Sequence, residues 1–177
     1  KSHQEFYEKV ANAYKKIFER VGLGDKTYKT FASGGSFSKY SHEFQTVCDT
    51  GEDTIYINQE NKIAINKEVF TNDVKKELGL GNDFTEAKAV EVGNIFTLGT
   101  RFSEALGLAY KNEEGKSAPV FMGSYGIGPA RIMGALVEVF ADEKGIVWPA
   151  SVAPFAAHLV ELSNNNADVK KEAEELY

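Results

Sequence analysis

The chain has 177 residues, of which 42% are hydrophobic and 26% charged, a composition typical of a globular protein. Its net charge of −6 means that the surface as a whole does not attract polyanions, so any nucleic-acid contact must use a local basic patch. The single cysteine excludes a disulfide framework, and no apolar run approaches the roughly 20 residues that span a bilayer, so we expect a cytoplasmic protein without membrane contact.

The first part of the chain predicts a helix followed by two strands. Apolar residues recur every three or four positions from Phe6 to Val21, which predicts a helix that ends at Gly22. A loop rich in glycine and serine then leads to a strand over 42–48, and TIYIN forms a second strand after the turn TGED. The short turn between these strands predicts an antiparallel hairpin.

The second half of the chain predicts further strands between short helices. A short helix is expected near 72–78, and AVEVGNIFTL reads as a long strand. YKNEEGK is predicted to be a hairpin turn with APVFMGS as the returning strand, and Pro129 stands where a helix begins. AAHLVEL then predicts a strand, and NADVKKEAEELY the start of a helix. These elements predict an α+β fold, with an antiparallel sheet flanked by helices.

The segment GSYGIGPAR places three glycines just before a helix that begins with an arginine in its first turn. A P-loop requires a lysine after the glycines, and a dinucleotide fingerprint requires the reverse glycine order within a parallel βαβ unit. A third interpretation is an antiparallel strand feeding a helix, where Gly126 and Gly128 let a ligand approach the backbone. The helix N–H groups and Arg131 could then bind a polyphosphate or stack on a purine. A plain turn with a solvated arginine is the alternative.

Four blocks of sequence carry a more specific signal. They are FYEKVANAYKKIFERVGL, ASGGSFSKYSHEFQTVCDTGEDTIYI, EVGNIFTLGTRFSEALGLAY, and GSYGIGPARIMGAL with DEKGIVWPASVAPFAAHLV. In this order they resemble prolyl-tRNA synthetases of the bacterial type, which are class II aminoacyl-tRNA synthetases, and the last block is similar to the third class motif. The resemblance implies the C-terminal part of a class II catalytic domain over 1–152. It also implies the first strand and helix of an α/β anticodon-binding domain over 153–177.

The resemblance also sets expectations about what the chain lacks. The first class motif, tied to dimerisation in the family, and the second, whose arginine holds the ATP α-phosphate, are not among these residues. We therefore expect that this chain alone does not activate proline, and that the full-length enzyme is a homodimer. Only 57–90 stand where many bacterial relatives carry a large editing domain, so we expect no such insertion here.

The implied reaction is proline–tRNA ligation. ATP, as its Mg²⁺ complex, activates proline to prolyl-adenylate, and the prolyl group is then transferred to the 3′ end of the proline tRNA. Such enzymes act mainly by positioning and by offsetting phosphate charge. No tightly bound cofactor is expected, and the absence of a Cys/His cluster in the sequence predicts no structural zinc.

The resemblance implies roles for single residues. Arg131 is the catalytic residue, and the ATP site comprises Arg131, Gly126, Gly128, Thr97, Thr100 and Glu91. Glu91 could hold Mg²⁺ with the ATP phosphates, or could be a structural acid paired with an arginine. The proline site comprises Phe44, His42, Ser124 and Gly126.

Strand alternation adds a geometric expectation to these roles. His42 and Phe44 should share one face of their strand, and Glu91, Gly93, Ile95 and Thr97 one face of theirs. We expect Arg131 to face a cleft lined by Phe44, Ser124 and Thr100. The alternative is that His42 and Phe44 are core residues and that Ser124 is a turn serine.

Three other functions remain compatible with the sequence. One is a non-catalytic synthetase-like paralogue that binds adenylate or tRNA. A second is a class II synthetase for another amino acid, such as threonine or glycine. A third is a nucleotide-dependent enzyme on a parallel α/β sheet, which requires parallel strands around 123–131.

Overall fold

A computed structural model of the chain describes residues 2–177. The helices are α1 (Ser2–Arg20), α2 (Asn72–Glu77), α3 (Arg101–Leu106), α4 (Pro129–Phe140) and α5 (Ala167–Leu176). The strands are β1 (Thr27–Ser33), β2 (Tyr40–Val47), β3 (Asp53–Asn58), β4 (Ile63–Asn66), β5 (Thr85–Gly99), β6 (Ala109–Lys111), β7 (Ser117–Pro119) and β8 (Met122–Ile127). Among residues 2–177, no helix combines the length and apolarity needed to cross a membrane.

The main sheet has six strands in the order β2-β1-β4-β3-β5-β8, and β2 also pairs with β5. The first five strands therefore form a closed circuit of pairings, to which β8 is added alongside β5. Every pairing is antiparallel except that between β1 and β4, which is parallel. The predicted α+β fold with a mostly antiparallel sheet and flanking helices is confirmed. Strands β1 and β4 were not among the predicted elements.

The predicted hairpin between β2 and β3 is wrong. Each of these strands pairs antiparallel with β5, and Ala89 on β5 is the partner of both Val47 and Asp53. The turn between them passes directly over β5, because a Cβ atom on Gly51 would lie 2.4 Å from the backbone nitrogen of Ala89. The long strand β5 thus takes up the pairing that a hairpin would have satisfied locally.

Two further strand predictions differ from the structure. APVFMGS is not one strand: β7 pairs with β6 in a separate two-stranded hairpin, and β8 joins β5. AAHLVEL forms no strand, and all seven of its residues are exposed. A lone strand has no neighbour to satisfy its backbone groups, which explains the absence. The helix that follows is confirmed as α5, and the Asn166 side chain caps it by accepting from the Asp168 N–H.

The main core lies between the helices and one face of the sheet. Apolar side chains at helical spacing on α1 pack against α4 and the centre of β2 and β5. The buried residues of this core are Tyr7, Ala11, Tyr14, Phe18, Leu23, Phe44, Val92, Ile95, Ile132, Ala135 and Leu136. We call the side of β2, β5 and β8 that carries Phe44 and Ile95 the α1 face, and the opposite side the distal face. Because α1 packs on the α1 face, the side chains at the middle of that face are largely buried.

Candidate active site

A β-bulge on β5 decides where Glu91 points. Gln45 pairs with Glu91 and Phe44 with Gly93, so Val92 is an extra residue on β5. Alternation is broken there, and Glu91 turns to the distal face while Gly93 faces α1. On the distal face the Asn94 amide donates to Glu91 Oε1 at 2.9 Å. The expectation that Glu91 shares a face with Gly93, Ile95 and Thr97 is therefore wrong.

Arg131 lies in the first turn of α4, as the sequence predicts. Gly128 is the N-cap and Pro129 starts the helix. The guanidinium Nη1 donates to the carbonyl oxygen of Glu91 at 3.2 Å and lies 3.6 Å from Glu91 Oε2 and 3.7 Å from Glu52 Oε1. The Arg131 side chain remains 52% exposed, so these ion pairs are weak and a ligand can replace them.

Two adjoining cavities meet at this arginine. One, of about 300 Å³, is lined by Glu91, Val92, Gly93, Asn94, Gly126, Ile127, Gly128 and Arg131. The other, of about 570 Å³, is lined by Glu43, Glu52, Asp53, Thr54, Asn66, Lys67, Glu68, Glu91 and Arg131. Because Glu91 and Arg131 line both, we treat the two cavities as one cleft, the Arg131 cleft. Its carboxylates outnumber its cations, so the cleft can bind a cationic group as well as an anion held by Arg131.

The two glycines predicted to make room for a ligand both line the Arg131 cleft. A Cβ atom on Gly126 would lie 3.4 Å from Asn94 Oδ1, and one on Gly128 would lie 3.4 Å from the Arg131 Cβ. Neither glycine has a positive φ, so neither is required by an unusual backbone conformation. Their contribution is the bare backbone that they present to the cleft.

Glu43 is a cleft residue that sequence reasoning missed. Its Oε2 accepts from the amide nitrogens of Gln45 at 2.8 Å and Asn66 at 3.3 Å. Burial raises the pKa of the Glu43 carboxyl, the charges of Glu91 and Asp53 raise it further, and the two amide donors partly oppose the shift. Glu43 stands inside the SHEF block, so alternation from the neighbouring core residue Phe44 would have placed it on the distal face.

The structure does not bring all the predicted residues to the cleft. Phe44 is 1% exposed and packs against Tyr14 and Phe18 under α1, so it has no surface for a ligand. His42 also faces α1, where its Nδ1 lies 2.7 Å from the Tyr7 hydroxyl. Burial, and to a smaller extent the charge of Lys29, lowers the pKa of His42 to about 3. The structure therefore supports the alternative that His42 and Phe44 are core residues.

The remaining predicted residues, Thr97, Thr100 and Ser124, do not line the Arg131 cleft. Thr97 faces α1, where its hydroxyl lies 3.2 Å from His3 Nε2. Thr100 precedes α3, and its carbonyl oxygen accepts from the Ser103 hydroxyl. Ser124 is exposed and pairs with Phe96 on the distal face, two register positions beyond the pair formed by Asn94 and Gly126. The cleft expected from the sequence, with Arg131 facing Phe44, Ser124 and Thr100, therefore does not form from those residues.

An aromatic surface stands beside Ser124. Phe96 contacts Phe37 with ring centroids 5.5 Å apart, and Phe37 in turn contacts Phe102 at 5.4 Å. The Arg101 guanidinium covers Phe37 and donates to the Ser36 hydroxyl, which fixes the glycine-rich loop on α3. This apolar surface on the distal face was not predicted, because the aromatic residues come from three separate segments.

The strand before the glycine loop decides among the interpretations of that loop. β8 pairs antiparallel with β5 through Gly93–Ile127 and the following positions. A dinucleotide fold on a parallel sheet is therefore excluded for this site. An antiparallel strand leads directly into α4, whose first turn carries Arg131.

Comparison with known families agrees with this geometry. Residues 1–140 match the family described as "tRNA synthetase class II core domain (G, H, P, S and T)". The chain belongs to this family. Class II synthetase relatives named "Proline--tRNA ligase" include those of Anaplasma marginale, 37% identical over 97% of this chain, and Anaplasma phagocytophilum, 39% identical over 97% of it. A third, from Rickettsia rickettsii, is 32% identical over 100% of this chain.

The chain spans less than half the length of these curated relatives, 43% or 44% of each. Among solved structures, it is similar to prolyl-tRNA synthetase from Cryptosporidium parvum in complex with L-proline and AMP, with a TM-score of 0.57 and 19% identity. That match covers 98% of this chain and 29% of the other. It shows that this class II synthetase chain has the same fold.

Proposed function

We propose that this chain is part of a proline–tRNA ligase and carries one wall of the site that activates proline with ATP. The observation that carries the proposal is the exposed Arg131 guanidinium at the start of α4, facing a cleft with Glu91. A helix N-terminus and a guanidinium both favour phosphate, and positioned cations are what phosphoryl chemistry requires. The proposal that the amino acid is proline comes from the relatives, which are named "Proline--tRNA ligase".

The reaction begins with attack of the proline carboxylate on the ATP α-phosphate, which releases pyrophosphate. In this proposal Arg131 exchanges its contacts with Glu91 and Glu52 for the ATP phosphates and the adenine. Gly126 and Gly128 let the nucleotide lie against the backbone. Freed from Arg131, the Glu91 carboxylate can bind the Mg²⁺ that enters with ATP, because a nucleotide-bound Mg²⁺ needs only one or two carboxylates from the protein.

The proline ring is proposed to lie on the distal face beside Ser124 and the aromatic surface of Phe96 and Phe37. This placement replaces the expected contact with Phe44, which is buried under α1. The prolyl group is then transferred to the 3′ end of the proline tRNA. We further propose that the whole enzyme acts as a homodimer and that 153–177 begin an anticodon-binding domain, of which the structure has the helix but no strand.

The test is amino-acid-dependent ATP–pyrophosphate exchange by the full-length protein that contains this chain, with a panel of amino acids. Proline should support exchange and glycine, threonine, serine and histidine should not. Arg131→Ala should lower proline-dependent exchange by about two orders of magnitude or more, since loss of one positioned donor typically costs about 3–4 kcal/mol. Arg20→Ala, an exposed arginine at the end of α1, is the matched control and should retain wild-type exchange.

Three results would contradict the proposal. Exchange with another amino acid in place of proline would assign a different synthetase. Adenylate or tRNA binding without exchange for any amino acid would indicate a non-catalytic paralogue. Exchange by Arg131→Ala within a few-fold of wild type would remove Arg131 from the mechanism.

A further inference from the structure

A further cavity lies on the other side of the sheet from the Arg131 cleft, beneath the second half of α1. Its volume is about 170 Å³, and it shares no lining residue with the Arg131 cleft. Phe44 lines this cavity and pairs with Lys29, which places both residues on the α1 face. We call the cavity the α1 crevice and define it by three of its lining residues, Lys15, Lys29 and Lys62. Three separate segments, α1, β1 and the turn before β4, thus bring positive charge to one small space.

Lys29 has a largely buried ammonium group whose hydrogen-bonding capacity is unused. Its side chain is 16% exposed, and its partner oxygen, Glu8 Oε2, is 3.6 Å from Nζ, which is too far for a hydrogen bond. Burial lowers the pKa of Lys29; the charge of Glu8 opposes this shift and the charge of Lys15 adds to it. An ammonium has three N–H donors, so an anion in the crevice would offset the burial of this charge.

The other two lysines of the crevice have no ionic partner among residues 2–177. No carboxylate oxygen of that range lies within 4.0 Å of Lys15 Nζ or Lys62 Nζ. Lys62 also has a φ of 51°, in the left-handed region that favours glycine. Lysine at this position carries a backbone cost that glycine would avoid, which points to a use for its side chain.

The charge and the size of the crevice define the class of ligand. Glu19 and Asp25 also line it, so three lysines face two carboxylates and the surplus is one positive charge. This surplus suits a singly charged anion better than a phosphate or a polyphosphate. A water molecule occupies about 30 Å³ in the liquid, so the cavity has room for a molecule of about five or six non-hydrogen atoms. A short-chain monocarboxylate has this size, and its two oxygens can accept from more than one lysine.

We propose that the α1 crevice is a binding site for a short-chain monocarboxylate, whose oxygens accept hydrogen bonds from Lys29 and from Lys15 or Lys62. Through these contacts the bound carboxylate connects α1 to β1 and to the turn before β4. The site is separate from the Arg131 cleft, and its occupancy does not depend on the proposed function.

The experiment uses propionate as the probe and the full-length protein that contains this chain, in a buffer of low ionic strength. Calorimetric titration should show saturable binding in the millimolar range, because the ligand has few atoms. Propionamide has the same shape without the charge and should bind at least about 10-fold more weakly, because hydrogen bonds to charged groups are stronger. Propionate should also raise the melting temperature relative to sodium chloride at equal ionic strength, because it binds the folded protein.

Variants of single lysines locate the ligand. Lys29→Met keeps most of the side-chain stem and removes the charge, and should weaken propionate binding by about 10- to 100-fold. Lys26→Met changes an exposed lysine that does not line the crevice, so this matched control should bind as wild type does. Lys62→Gln is also at an exposed position, where we expect no folding defect, and should weaken binding by about 3- to 10-fold. Arg131→Ala should leave propionate binding unchanged.

Equal binding of propionate by wild type and Lys29→Met would overturn the inference, and so would equal binding of propionate and propionamide by wild type. Absence of saturable binding to wild type would also overturn it, including the case in which another part of the full-length protein fills the crevice. Loss of binding in Arg131→Ala would assign propionate to the Arg131 cleft and contradict the inference as well. Failure of the proposed function is seen instead in pyrophosphate exchange, which these titrations do not measure.

Discussion

The Tyr7 hydroxyl makes a buried hydrogen-bonded contact between α1 and the sheet, and its removal gives a sharp test of the structure. The Tyr7 hydroxyl donates to the carbonyl oxygen of Ile95 at 2.9 Å and lies 2.7 Å from His42 Nδ1. A hydroxyl has a single hydrogen, so the second contact requires that the Nδ1–H of His42 donates to the tyrosine oxygen. Tyr7 is 4% exposed, and water cannot replace either bond without rearrangement.

Tyr7→Phe removes both bonds and leaves the imidazole N–H and one carbonyl lone pair buried. Each buried polar group left without a partner costs about 1–3 kcal/mol, so we expect a loss of about 2–4 kcal/mol in the free energy of unfolding. For a chain of this length 1 kcal/mol corresponds to about 2–4 °C, so the midpoint should fall by roughly 5–15 °C. The measurement is thermal and urea unfolding at pH 7.5, where His42 is neutral in both the folded and the unfolded chain.

Tyr14→Phe is the matched control. Tyr14 lies two helical turns further along the same face of α1 and is 7% exposed, but within residues 2–177 its hydroxyl makes no hydrogen bond. The same substitution there should change the free energy of unfolding by less than about 1 kcal/mol. If Tyr7→Phe costs no more than Tyr14→Phe, the hydrogen-bonded link between α1, β2 and β5 does not contribute to stability and the reasoning is refuted.

Two further predictions concern stability. Gly51→Ala should lower the free energy of unfolding by about 2 kcal/mol or more, because the new Cβ would lie 2.4 Å from the Ala89 backbone. Gly81→Ala is the control: a Cβ there meets open space, so urea unfolding should be nearly unchanged. Glu43→Gln should raise the melting temperature at pH 7, because the pKa of Glu43 is raised by folding and its ionised form therefore destabilises the folded state. That gain should disappear as the pH falls below the pKa of an unfolded glutamate; a lower melting temperature at pH 7 would show that the charge is stabilised in the free protein.

Several features of this protein follow from the sequence alone. Apolar spacing located α1, and Pro129 with the preceding glycines located the start of α4, because both signals act within a few residues of the chain. The glycine loop placed Arg131 in the first turn of that helix. The same blocks of sequence indicated the class II synthetase family, which the family match confirms.

Only the tertiary structure decided which side chains meet. The extra residue at Val92 turns Glu91 to the distal face beside Asn94. The alternation of side chains along a strand cannot predict this bulge, because the bulge is defined by the pairing of β5 with β2. In the SHEF block, the histidine and the phenylalanine were predicted to bind proline, but both face α1. Glu43 is the residue of that block that lines the cleft. Side-chain type is written in the sequence, whereas the face on which a side chain lies depends on strand partners that are distant in the chain.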